Sequence, residues 1–591
     1  MIGCDRFATV AKGALHRVHL GRGKGDTMAE TDMRNPGGDN SGGLFAALTN
    51  DHPLRRNAVI WVALILAGIA IAALVLTGSR GWLVLLLAAA GLMLLAVIDL
   101  TQTEHSLRRN FPGAARARWF FESLRPFSRS YLVEADLDGR PFSHEERDLV
   151  YARAHGSADA HPFGTELDVY SGEYEWLAHS MLPNPDADTA MRVMVGSSQC
   201  AQPYSASRLN VSAMSFGALG GRAIEALNLG AKLAGCYHDT GEGSMSPYHL
   251  KHGGDVVWQV ASGYFGCRDA QGHFDPVQFA DHAANPAVKM IEIKLSQGAK
   301  PGHGGVLPAA KVTPEIAQTR GVPLGEDCIS PARHSAFGTP VELMEFAAHL
   351  RELSGGKPIG LKLCVGNPHE VFALAKAMLK TGIRLDFMVI DGGEGGTGAA
   401  PEELSDRVGM PLREGLMIAR NALVGAGLKG EVRLGASGKV TSGAGVAINA
   451  ALGADWCNAA RAFMFSIGCI QSLKCHTGLC PTGIATQSPA RQRGLVVEEK
   501  AQRVARFHGA TIRALHEIIV ASGLDSPSDL RPYHLRQRIN VAEMRQFDEI
   551  YPFARTGELI DGTDSPMLAR WWNAASADTF RRVDEDRLSL V

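Results

Sequence analysis

From Arg208 onward the chain repeats one pattern: a short apolar run, a polar loop, then a stretch with helical spacing. The apolar runs are Leu209–Met214, Cys236–His238, Val256–Val260, Val288–Ile293, Ile359–Cys364, Phe387–Ile390, Val432–Leu434 and Trp456–Asn458. Helical patterns such as Gly221–Ala234, Val371–Leu379 and Gly443–Leu452 follow several of them. Parallel strands need a crossover, usually a helix, so repeated strand–helix units imply a parallel sheet. Eight such units imply an α/β fold closed into a (β/α)8 TIM barrel, with active residues at the C-terminal ends of the strands. The second and third units carry the weakest patterns. A doubly wound open sheet is the alternative, and no internal nicotinamide-binding domain is expected.

Ahead of the barrel lie two apolar segments. Ala58 to Thr77 carries no charge, and after Gly78-Ser-Arg-Gly81 a second apolar run spans Trp82 to Ile98. Each suits a bilayer crossing, which takes about 20 residues. The pair reads as an N-terminal transmembrane helical hairpin, with a buried soluble hairpin as the alternative. Its distance from the terminus argues against a signal peptide. Arg55 and Arg56 precede it, Arg108, Arg109, Arg116 and Arg118 follow it, and its turn holds only Arg80. Positive charge favours the cytoplasmic side, so both termini and the catalytic part are expected in the cytoplasm, on a multi-pass membrane protein.

The expected organisation has five parts. Residues 1–53 form a polar, glycine-rich leader without periodicity, with Met28 a second candidate start. Residues 54–100 form the hairpin. Residues 101–199 form a wrapping segment that tethers the barrel, with a helix cap at Ser143. Residues 200–490 form the barrel, and residues 491–591 a C-terminal helical extension. Within 488–522, Val497, Ala501, Val504 and Ala505 recur at helical spacing. The formal charge is −2, which gives no reason to expect a nucleic-acid partner. Of ten cysteines, seven are scattered, which points to a reducing compartment rather than a disulfide framework.

Polar and small residues gather where the strands end. They include Met214 and Ser215 after the first strand, Glu242 after the second, and Lys294, Gln297 and Lys300 after the fourth. Asp391 and Thr397 follow the sixth strand, Gly435 to Gly438 mark the seventh, and Ala459 to Arg461 the eighth. Loops after strands seven and eight of such barrels commonly bind phosphate through backbone N–H groups, so these two read as the phosphate cradle of a mononucleotide. Plain turns are the alternative. Lys294 and Lys300 are candidate partners for an anionic reduced flavin or a dicarboxylate, or else solvated loop lysines. Glu242 is a candidate to orient a polar substrate atom, or else a loop cap.

Cys469, Cys475 and Cys480 fall within twelve residues, and Pro481 follows. Clustered thiolates suit zinc or an iron–sulfur cluster. The spacing lacks the close pairs of a structural zinc site. Three local thiolates suit a three-iron cluster, or a four-iron cluster with a distant ligand. Three buried free cysteines are the remaining reading.

The segment Cys-x5-Cys-His-x3-Cys-Pro-x-Gly-x-Ala-Thr-Gln, Cys469 to Gln487, resembles the cluster segment of the glutamate synthase FMN-binding domain. Further stretches resemble the same family in the same order. They are Ala213-Met-Ser-Phe-Gly-Ala218, Gly241-Glu-Gly243, Lys294-x-x-Gln-Gly-Ala-Lys-Pro-Gly302, Gly304-Gly-x-Leu-Pro308, Gly395-Gly-Thr-Gly-Ala399 and Gly415-Leu416. The resemblance implies FMN and a 3Fe–4S cluster as cofactors, the cluster on Cys469, Cys475 and Cys480. It implies flavin contacts at Met214, Ser215, Gln259, Lys294, Asp391, Gly396, Thr397, Gly435, Ser437, Gly438, Ala460 and Arg461. It also implies a 2-oxoglutarate site at Glu242, Gln297 and Lys300, with Lys294 stabilising the reduced flavin.

The expected activity is therefore reduction of 2-iminoglutarate, formed from 2-oxoglutarate and ammonia, to L-glutamate. Electrons would come from a ferredoxin-like protein, a separate reductase or a membrane carrier. No amidotransferase-sized region precedes the barrel, and Cys4 sits in the apparent leader. Ammonia would thus be free or come from a partner. Two rival readings are a subunit that transfers a methylated amine onto glutamate, and a non-catalytic membrane redox subunit.

Overall fold

The computed structural model describes residues 56–160 and 162–583, so the leader expected over 1–53 lies outside the described residues. The chain divides into two compact units at Pro126.

In the first unit, helices α1 (Ala58–Thr77) and α2 (Trp82–Thr101) pack side by side. Gly78 closes α1 in the left-handed conformation, at φ 62°. Ala63 and Ala70 of α1, and Ala89 and Ala96 of α2, are the buried apolar residues of the pair. Each couple is seven residues apart, so small side chains line one stripe of each helix and let the backbones approach. Larger residues such as Ile65, Leu76, Val84 and Leu87 point outward. Both helices are long and apolar enough to cross a membrane by length and composition.

The second unit is built on a closed barrel of eight parallel strands, each beside its sequence neighbour and the last beside the first. They are β1 (Leu209–Val211), β2 (His238–Asp239), β3 (Val256–Val260), β4 (Val288–Lys294), β5 (Ile359–Leu363), β6 (Phe387–Asp391), β7 (Arg433–Ser437) and β8 (Trp456–Ala459). All eight expected runs are barrel strands, and the open sheet is set aside. The first strand ends three residues early, at Val211. The second strand–helix repeat is the least regular, because β2 has two residues and only the short helix Pro247–Leu250 follows it. The helix after β1 spans Gly221–Ala234, and its Gly230 lies where a Cβ would come 2.4 Å from Val504. That close approach seats the long helix Val497–Ala521 against it. Gly494 separates this helix from the short Pro489–Gln492, so the helix expected over 488–522 is interrupted.

Strand alternation sorts residues into the barrel or onto its helical coat. At the N-terminal end of the barrel, Tyr237, Val257, Met290, Phe387, Val389 and Trp456 form an inner cluster. The antiparallel hairpin Arg192–Val195/Tyr204–Ser207 plugs this end with Val193, Val195 and Ala206. The expected boundary at 199/200 runs through this hairpin. Two glycines make room for the aromatic rings. A Cβ on Gly360 would lie 2.4 Å from the Phe387 ring, and one on Gly435 would lie 2.8 Å from Trp456. At the other end of the sequence, Trp571 and Trp572 pack against Phe372 on the helix after β5, with ring centroids 5.8 and 6.3 Å away.

Overpacking a full core costs about 1–3 kcal/mol. Gly360→Ala therefore lowers the melting temperature of the full chain. Gly366→Ala, where a Cβ meets nothing within 4 Å, leaves it unchanged. Equal melting temperatures for the two variants contradict the packing described.

Candidate active site

Above the aromatic layer the barrel interior turns polar. Alternation along β4 sends Met290, Glu292 and Lys294 inward, and Lys362 of β5 stands opposite Lys294 in the parallel register. Gln259 of β3 donates from Nε2 to Glu292 Oε1 at 2.6 Å and to Asp239 Oδ2 at 3.5 Å. Lys362 Nζ lies 3.9 Å from Asp391 Oδ1, and the Gly298 N–H donates to Asp391 Oδ2 at 2.8 Å. Burial opposes the charge on Lys362, but Asp391, Glu292 and Asp239 outweigh it and raise its pKa. Burial and the Asp239 carboxylate push Glu292 well above the ordinary carboxyl range. In this layer the surroundings thus favour the charged form of Lys362 and the neutral form of Glu292.

At the mouth, Lys294 Nζ donates to Glu242 Oε2 at 3.0 Å and to Gln297 Oε1 at 2.5 Å. Burial raises the pKa of Glu242, yet Lys294, Lys300 and Arg320 outweigh it and hold the carboxyl below its usual value. Burial pushes the Lys300 ammonium down, offset in part by Glu242. Glu242, Lys294 and Gln297 line one pocket with Ser262, Ser296 and His303. Glycines bring the surrounding loops together. A Cβ on Gly298 would sit 1.7 Å from the Gly392 carbonyl oxygen, and one on Gly241, at φ 65°, would sit 2.9 Å from Ser215 N. The loops after β4 and β6, and after β1 and β2, therefore touch at these points.

The residues expected at the flavin fall into separate groups. Met214 is buried, its carbonyl facing His249 Nε2 at 3.3 Å, and Ser215 lies in the same loop. Gln259 and Asp391 belong to the polar layer. Ser437 is buried at the end of β7, where its carbonyl accepts from Gly392 N. Gly435 sits inside β7 rather than in a loop, and the Trp456 ring accounts for the glycine there without any anion. Gly438 follows β7, and Ala460 precedes the short helix Arg461–Ser466. Arg461 reaches back to donate from Nη2 to the Thr397 carbonyl at 2.7 Å, beside Gly396. The run Gly393-Glu-Gly-Gly-Thr-Gly398 has the spacing of a dinucleotide fingerprint. It forms an irregular loop, however, and the next helix starts only at Glu402, so no helix N-terminus stands behind it.

Arg461 also links this loop to the cysteines, with Nη1 3.8 Å from Cys475 Sγ. The three thiols share one neighbourhood, since Cys475 and Cys480 both act electrostatically on Cys469. Among the described residues, no three His, Cys, Asp or Glu side chains gather as ligands of a single metal ion. A polynuclear cluster spreads its thiolates around several irons rather than gathering them on one. Burial raises the Cys480 thiol, but N–H groups of Ala485, Thr482 and Ile484 and the Thr482 hydroxyl outweigh it and lower its pKa. Such a donor set fits a cluster thiolate. The loop is held from outside the barrel by the segment that follows the first unit. Gln471 exchanges hydrogen bonds with the Phe142 backbone at 3.2 and 3.0 Å. Tyr151 Oη donates to the Cys469 carbonyl at 2.6 Å. The helix carrying Tyr151, His144–His155, starts at Ser143 with the expected cap, completed by Glu146.

Three polar residues here escape the sequence reading, while Asp239 stands at a strand end as expected. Lys362 and Glu292 look like interruptions of apolar strands, although a lysine inside Ile359-Gly-Leu-Lys-Leu-Cys364 is a signal in itself. Arg320 ends a surface helix, Pro314–Arg320, and has no sequence signal. It is buried, donates from Nη2 to the Phe216 carbonyl at 2.9 Å, and leaves Nε without a partner. The charge assignments predict different outcomes for two substitutions. Glu292→Gln mimics a neutral carboxyl and keeps the oxygen that Gln259 donates to, so stability changes by less than about 1 kcal/mol. Lys362→Met strands buried carboxylate charge and costs about 3–5 kcal/mol. Thermal unfolding of the full chain decides; equal losses contradict the assignment.

Residues 180–525 match the family model described as the conserved region in glutamate synthase. The chain is 36% identical over 493 residues to the glutamate synthase large subunit-like protein YerD of Bacillus subtilis (strain 168), a match covering 76% of this chain and 93% of that protein. It is 36% identical over 322 residues to the archaeal glutamate synthase (NADPH) of Methanocaldococcus jannaschii, covering 54% of this chain and 60% of that one. Against the glutamate synthase (NADPH) large chain of Bacillus subtilis it is 34% identical over 288 residues, which is 18% of that protein. The chain thus spans little more than half of the archaeal relative and a small part of the large chain. Its conserved barrel and the extent of these matches show that the chain belongs to the glutamate synthase family.

Proposed function

We propose that this protein is a glutamate synthase-type oxidoreductase that uses FMN and an iron–sulfur cluster to reduce 2-iminoglutarate to L-glutamate. The observation that carries this reading is Arg461. The two terminal nitrogens of its guanidinium join the cysteine loop to the glycine loop that follows β6, while Lys294, Glu242 and Gln297 gather at the end of β4 in the same barrel. Bound FMN would supply two-electron reduction of a carbon–nitrogen double bond, and a cluster on Cys469, Cys475 and Cys480 would supply single electrons. Met214, Ser215, Gln259, Asp391, Gly396, Thr397, Ser437, Gly438 and Ala460 are the residues that would hold the flavin.

The chain's own groups do the rest. Lys300 and Arg320, both close enough to act on Glu242, present positive charge to a dicarboxylate. Glu242 stays ionised at neutral pH and accepts from the N–H groups of an iminium nitrogen. Gln297 and Lys294 fix its orientation, so the substrate meets a preformed site. Lys294, whose ammonium stands at the mouth, is the cation that would face an anionic reduced cofactor. Ammonia enters free or from a partner subunit. The names of the archaeal relatives include NADPH, and here that reductant would act through a separate reductase or carrier protein. We place α1 and α2 across a membrane, with the barrel on the cytoplasmic side.

With chemically reduced protein under anaerobic conditions, 2-oxoglutarate plus ammonia reoxidises the flavin. Lys300→Ala slows this step by about tenfold or more while leaving FMN content unchanged, as loss of one charge-assisted contact implies. An unchanged rate removes the substrate role of Lys300. Reoxidation by a methylated amine with glutamate, and none by ammonia, assigns the protein to amine transfer instead.

A further inference from the structure

We propose that Arg116–Val133 is an interfacial segment that lies along an anionic phospholipid surface. This rests on the membrane reading of α1 and α2. The starting level of the segment is set by a buried ion pair. Asp99, fully buried near the end of α2, accepts from Arg116 Nη2 at 2.7 Å and from the Gly113 backbone N–H at 2.9 Å. A Cβ on Gly113 would lie 2.7 Å from Val59 Cγ1, so the returning chain presses against the start of α1. Arg116 and the helix it begins, α3 (Arg116–Ser128), therefore start level with the hairpin's open end.

Helical spacing divides α3 into two faces. Phe120, Phe121 and Phe127 fall on one, and Arg118, Glu122 and Arg125 on the other. The three phenylalanines are 58%, 67% and 53% exposed. One π-helical turn, Arg129–Val133, continues with Tyr131, Leu132 and Val133, all strongly exposed. Six bulky apolar residues thus stand bare within fourteen positions, immediately after two apolar helices. Around them stand Arg108, Arg109, Arg116, Arg118, Arg125 and Arg129; Asp99 pairs with Arg116, Glu122 with Arg118 and Glu134 with Arg129, which leaves Arg108, Arg109 and Arg125 against Glu104. Trp119 is held apart from that face by Arg108, whose guanidinium lies 4.5 Å from its ring.

Aromatic side chains beside basic ones are the composition of an amphipathic helix in the headgroup region, where each arginine adds about 1 kcal/mol of attraction to an anionic leaflet. A docked protein would have to cover the same face, yet the charge excess and the continuity with the hairpin favour lipid. The segment then fixes where the chain leaves the bilayer, just before the residues that hold the cysteine loop.

The test is photocrosslinking of the full chain in native membranes, with p-benzoylphenylalanine in place of Phe121, of Glu122 on the opposite face, or of Leu87 in α2. The expected result is phospholipid adducts at 121 and 87 and none at 122, with the yield at 121 falling severalfold in reconstituted vesicles of phosphatidylcholine alone. Adducts at 87 but not at 121 overturn the interfacial segment while the hairpin stands. Polypeptide adducts at 121 overturn it in favour of a protein partner. No lipid adduct at any position overturns the membrane reading itself.

Discussion

Lys294 and Lys362 project from neighbouring strands at the same register into the barrel interior. Ammonium groups buried side by side are tolerated only where each has its own counter-charge. Each lysine is therefore answered separately: Lys294 by Glu242 at the mouth, Lys362 by Asp391 and the Asp239–Glu292 pair below. Within the pair, burial and the neighbouring Asp239 raise the Glu292 pKa and so favour its neutral form. The interior is thus a stack of aromatic packing, then a balanced polar layer, then an open charged mouth.

The loops above depend on it. Asp391 uses one oxygen near Lys362 and the other on the Gly298 N–H, so the charged layer also ties down the loop after β4. That loop can approach the β6 loop only because Gly298 has no side chain. Arg461 extends the connection to Cys475, while Gln471 and Tyr151 hold the cysteine loop from the other side. The thiols are thereby fixed relative to the barrel by contacts from two directions.

Much of this was legible in the residues. Short continuous apolar runs separated by helical spacing locate all eight strands, because buried parallel strands carry little else. The mouth residues Glu242, Lys294 and Gln297 stand out as charges and amides at strand ends, and the structure brings them within hydrogen-bond reach. Lys362 and Glu292 were harder, since a polar residue inside a strand carries no mark of whether it faces the barrel or its coat. Arg320 arrives from a helix distant in sequence, and only folding places it beside Glu242. Gly435 shows the opposite failure. Glycine next to a strand end reads as an anion cradle, whereas here it accommodates Trp456. The hairpin 192–207 was missed because closing the barrel floor is a tertiary role with no local pattern.

The central claim is that the cysteine loop and the charged mouth serve one redox site. The most direct measurement is the visible spectrum, with iron and flavin content, of the full chain purified without oxygen. The account predicts a yellow-brown protein with about one FMN and about three iron atoms per chain. A colourless protein carrying neither iron nor flavin contradicts it.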